Sequence, residues 1–124
     1  MSGERTYTVE EANAMLEDLR GRLARIREAR AVVIRTSELV RDRVAADGGG
    51  VAGSPGYFDA ARLLRAELEH LAADDVVLRD PDSGLVDFPG VVESRHVWLC
   101  WRPEEDRVAH YHELDSGFAG RRPL

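Results

Sequence analysis

The sequence predicts an α+β protein, in which a long antiparallel helical hairpin packs with a small, mostly antiparallel β-sheet. Apolar residues recur on a 4,3 spacing from Ala12 to Val44 and again from Tyr57 to Leu71, which is the period of one helix face. A glycine-rich break at residues 47–56 separates the two runs. From Asp74 onward the apolar period shortens to two, that of a half-buried strand. At 124 residues the chain is expected to be a single domain, 1–124, with the helical hairpin over 9–73 and the sheet region over 74–124.

Thr8 and Glu11 have the spacing of a capping box, so the first helix is predicted to start near Val9. Its seam runs through Ala12, Leu16, Leu19, Leu23, Ile26, Val33, Val40 and Val44, broken only by Arg30 and Ser37. A helix to about Ala46 would be roughly 55 Å long, more than one small globule can bury, so a partner along its length is expected. The stretch Asp47 to Gly56 holds glycines and Pro55 and reads as a flexible linker, with no Lys-containing phosphate loop beside it. Tyr57, Ala61, Leu64, Leu68 and Leu71 mark the second, shorter helix, ending near Ala73. A stretch of the first seam is then left uncovered, to be covered by the sheet or by another copy of the chain.

Val76 to Arg79 and Leu85 to Phe88 read as two strands around an Asp80 to Gly84 turn, the second stopped by Pro89-Gly90. Val97 to Arg102 and Arg107 to His112 read as a hairpin joined by the polar Pro103 to Asp106 connection. With Arg102 opposite Arg107, the register pairs Leu99 with His110 and Val97 with His112 on the apolar face, and turns Cys100 away from both histidines.

The net charge of −6 gives no support for a nucleic-acid binder. All 17 basic residues are arginine, which removes lysine-dependent Schiff-base and P-loop chemistry. No apolar run approaches the roughly 20 residues of a membrane helix, and the start carries no secretory leader, so a cytoplasmic protein without a membrane span is expected. A single cysteine fits a reducing compartment, and Cys100, between Leu99 and Trp101, reads as a small buried hydrophobe.

Two histidines at i and i+2 on one strand point the same way. His110 and His112, with Asp87 or Glu113 as carboxylate, therefore form a candidate ligand set for a divalent transition metal. The same groups suit acid–base work, although no nucleophile accompanies them; the bland alternative is a pair of hydrogen-bonded histidines at the core edge. Asp87 sits inside an apolar strand and needs a partner, from Arg102, Arg121 or a histidine. Arg102 and Arg121 are candidates for holding a small anion, the latter in a tail of glycines and paired arginines.

Three segments together carry a family resemblance: Gly84 to Pro89, Leu99 to Arg102, and His112 to Asp115 with Gly117 to Arg121. With the opening Glu10 to Asn13, they make the chain resemble the bacterial family catalogued as domain of unknown function 2203 over nearly its whole length. The resemblance implies a small bacterial protein and brings no activity with it. Asp87, Arg102, His112, Glu113 and Arg121 match its motif, whereas its pattern has an aromatic residue at the position of His110. The functional expectation is a homo-oligomeric binding or interaction module associating through the first helix, and the alternative is a metal-binding protein or metal-dependent enzyme using His112 with nearby carboxylates.

Overall fold

The computed structural model describes residues 5–47 and 56–124, with side chains described outside 44–47. Most of the 47–56 linker and the side chain of Val44 therefore lie outside the described residues. Among the described residues the chain is α+β, with three α-helices and a five-stranded antiparallel sheet. The helices are α1 (Val9–Ala14), α2 (Leu16–Asp47) and α3 (Tyr57–Ala73). The strands are β1 (Val77–Asp80), β2 (Leu85–Val92), β3 (Arg95–Trp101), β4 (His110–Glu113) and β5 (Arg122–Pro123), and they lie side by side in chain order.

The capping box forms as its spacing predicts: the Glu11 amide donates to Thr8 Oγ1 at 3.0 Å and the Thr8 amide to Glu11 Oε1 at 2.8 Å. The expected single first helix is interrupted only at Met15, which keeps right-handed helical angles between α1 and α2. Ala12, Leu16, Leu19, Leu23 and Ile26 are buried, so the first part of the predicted seam is spent on the core. Further along, Val33 and Val40 are only half-buried, and Ile34 and Leu39 are exposed. Side by side with α2, α3 buries Ala60, Glu67 and Leu71. Glu67 accepts from Arg22 at 3.1 Å and Arg25 at 3.4 Å, which compensates its buried charge.

One sheet face carries Val86, Phe88, Val97, Leu99 and Trp101 into the core with the α2 leucines. Strand β2 does not stop at Pro89-Gly90 but runs through it to Val92. Pro89 lies past the residues that pair with β1, and its carbonyl accepts from the Tyr7 amide at 2.7 Å. The missing proline N–H thus costs no ladder bond. At Gly90 a Cβ would come within 2.6 Å of Leu99 Cγ, so the glycine makes room for a core side chain.

The predicted hairpin register is corrected by one residue. Cys100 pairs with His110, Leu99 with Tyr111, Trp98 with His112 and Val97 with Glu113. The connection is longer than four residues because residues 102–109 are not strand. Trp101 Nε1 donates to the Glu105 carbonyl at 3.0 Å, and the Val108 amide donates to Asn13 Oδ1 at 2.7 Å. The slip exchanges the faces assigned from sequence: both histidines share the side of Cys100 and lie away from the leucine core.

Candidate metal centre

The second face of the sheet sets a few polar groups among apolar ones such as Pro89 and Trp98. Alternation along β2 that buries Val86 and Phe88 against the helices turns Asp87 to the other side, opposite Cys100 on β3. His112 on β4 faces Trp98, one pair along, close enough to reach Asp87 diagonally. Asp87, Cys100 and His112 are all buried, at 1%, 1% and 4% exposure. Their donor atoms all lie within 4.8 Å of one another. Leu114 to Phe118 lie beside the cluster and, with Arg79, Leu85, Asp87, Trp98 and His112, wall a cavity of about 360 Å³.

Asp87 Oδ2 accepts from Arg79 Nε at 2.9 Å and lies 3.0 Å from His112 Nε2. The other ring nitrogen, Nδ1, lies 3.0 Å from the Glu113 backbone carbonyl. Both nitrogens of the ring therefore face oxygen acceptors, and both contacts are satisfied only when each nitrogen carries a proton or Asp87 holds the shared one. Asp87 Oδ1 is buried and has no hydrogen-bond partner among the described residues. Burial, and then the neighbouring Asp87 carboxylate, push the Cys100 thiol up to about 12. Cys100 is thus a protonated thiol and not a standing nucleophile.

The chemistry of this set is that of a borderline metal site: one thiol, one imidazole and one carboxylate, as zinc accepts. Ligands about 2.0–2.1 Å from a tetrahedral ion stand about 3.3 Å apart, and one donor atom from each of the three side chains lies within 4.8 Å of the others. The oxygen with no partner is the second donor of Asp87, and it would remain available while Oδ2 holds Arg79.

The other residues singled out from sequence are placed elsewhere. His110 shares the face of Cys100, but its Nδ1 accepts from Arg121 Nη2 at 2.6 Å, so the two histidines are not brought onto one ligand site. Glu113 follows His112 in the strand, points to the opposite face, and pairs with Arg95 at 2.5 Å. Arg121 also holds Glu105 at 2.5 Å, and Arg102 holds Glu104 at 3.0 Å. Both guanidinium groups lie against the Phe118 ring, at 4.9 Å for Arg102 and 4.7 Å for Arg121. The structure does bring the two arginines together, each already matched to a carboxylate. Sequence reasoning missed Cys100, which the slipped register hid, and Arg79, which no motif marks.

Fold and site together define an α+β protein with a buried carboxylate–thiol–imidazole cluster on the outer face of an antiparallel sheet. More particularly, the chain belongs to the family described as uncharacterized conserved protein (DUF2203), whose model matches residues 5–124. Comparison with curated proteins and with solved structures finds no match. No helix among the described residues is long and apolar enough to cross a membrane.

Proposed function

We propose that this protein binds one divalent transition metal ion, with zinc as the best-matched, through Asp87, Cys100 and His112. The observation that carries the proposal is the buried, unpartnered Oδ1 of Asp87 beside a thiol and an imidazole. An orphaned carboxylate oxygen costs about 1–3 kcal/mol or more, a cost that a bound cation removes. Three protein donors leave one tetrahedral position for water or a ligand, the pattern of reactive zinc sites rather than of closed structural ones. The 360 Å³ cavity, lined by Asp87 and His112, leaves room for a small molecule beside the cluster. A centre that depends on a free thiol requires a reducing compartment, the cytoplasm in this proposal.

Titration of metal-free protein with Co²⁺ as a spectroscopic substitute tests it. One ion per chain is expected, with sulfur-to-metal absorption in the near ultraviolet that Cys100→Ser abolishes and tight binding that His112→Ala abolishes. Failure of the folded wild type to bind, or binding equal in all variants, overturns the proposal.

A further inference from the structure

The inference concerns a different part of the molecule, the flank of α3, and does not depend on a metal. Of the five residues that sequence periodicity marks as the seam of this helix, Leu71 alone is fully buried. Glu67 and Ala60 face inward with Leu71, whereas Leu68 is 40% exposed and Tyr57, Ala61 and Leu64 are only half-buried. A salt-bridged glutamate takes the place against α2 that a leucine was expected to hold. Tyr57, Ala61, Leu64, Leu68 and Ala72 then form one stripe along the flank of the helix, with Leu64 at its inner edge against the core. Ala61, Leu64, Leu68 and Ala72, with Val33 of α2 and the side chains of Arg65 and Glu69, line an open groove of about 410 Å³. Leu68 and Ala72 also line a neighbouring cavity of about 700 Å³ that reaches Val76 and Trp98. So large a joined apolar surface marks a docking face.

We propose that a second copy of this chain occupies the groove, its α3 lying antiparallel against the first. The size fits a helix: from Ala61 to Ala72 the groove runs roughly 17 Å along α3 at 1.5 Å per residue. The charges on its rim fit an identical partner. Arg65 and Glu69 form an exposed pair at 2.8 Å, with side chains 83% and 67% exposed. Across a two-fold axis beside Glu67, the Arg65 of each protomer faces the Glu69 of the other, so one pattern satisfies both sides. Leu68 of each protomer packs beside the axis, against the apolar stripe of the other. Interchain contact therefore runs through α3 with Val33, rather than through the far end of the first helix where Ile34 and Leu39 are exposed.

Sedimentation of the full chain at micromolar concentration tests this, with circular dichroism as the check on folding. Wild type is expected to be a dimer, Leu68→Glu a folded monomer, and Leu39→Glu still a dimer. Arg65→Glu is expected to weaken association roughly tenfold, and the double exchange Arg65→Glu with Glu69→Arg to restore it. A monomeric wild type overturns the proposal. So does a Leu68→Glu dimer, or a dimer lost only in Leu39→Glu. Because Leu68 is already partly exposed, its substitution leaves the core intact; the charge exchange supplies a second readout that removes no apolar contact.

Discussion

Zinc should stabilise this protein in a way that depends on pH, and the size of the effect follows from the Cys100 environment. A chain of 124 residues unfolds with an entropy of about 0.26 kcal/mol/K near its midpoint, from about 2.1 cal/mol/K per residue. Free zinc at a thousandfold excess over its Kd contributes about 4.1 kcal/mol, so the midpoint at pH 7.5 is expected to rise by about 16 °C. Binding must expel the thiol proton, because the Cys100 thiol is held near 12 and is protonated throughout the neutral range. Each unit of acidification then weakens binding at least tenfold. At pH 6.5 and the same free zinc the excess falls to about a hundredfold, worth about 2.7 kcal/mol, and the rise shrinks to about 10 °C. The assay is differential scanning calorimetry of metal-free and zinc-loaded protein at both pH values. An equal rise at both would remove Cys100 from the ligand set, and no rise at either would remove the metal.

Two further outcomes are expected. Gly90→Ala pushes a methyl to within 2.6 Å of Leu99 Cγ and 3.2 Å of the Tyr7 carbonyl oxygen, where a fully buried leucine has no free direction to move. It should cost about 1–3 kcal/mol in urea unfolding, and an unchanged midpoint would show that the contact relaxes freely. In the metal-free protein the raised thiol also sets the response to alkali. Below its ordinary value of 9.0 the proton is bound in both folded and unfolded chains and the contribution of Cys100 is complete. Between there and about 12 only the unfolded chain loses the proton, so stability should fall as pH rises, and Cys100→Ala should flatten that fall.

What the sequence made legible was whatever its neighbours in the chain decide. Thr8 and Glu11 announce the helix start because both partners of the cap lie within one turn. The leucines from Leu16 to Ile26 announce their burial by period alone. Two features hung on distant residues and were misread. The start of β4 depends on Asn13 holding the Val108 amide 95 positions away, so the local pattern suggested a shorter turn. That one-residue error carried Cys100 to the far side of the sheet and hid the cluster. The passage of β2 through Pro89 likewise depends on Tyr7 approaching from the other end of the chain. Asp87 was legible as a carboxylate in need of a partner, and His112 fills that need; Arg79 does too, at a position that only the irregular pairing of β1 with β2 determines.

Tyr7 has a consequence for the order in which the protein can be made. Its ring is 3% exposed and packs edge-on against Phe88 at 5.3 Å, its hydroxyl donates to the Asp74 carbonyl at 2.5 Å, and its backbone bridges to Gly90. The hydroxyl's acceptor is 67 positions downstream. At a synthesis rate of about 5–20 residues per second, the tyrosine waits roughly 3–13 s for that partner to be added, and longer for Phe88. During that interval α3 is made, but the sheet residues that cover the leucines of the first helix are not. The segment ahead of α1 therefore cannot complete its contacts until Gly90 has been added, and β3 to β5 follow later still.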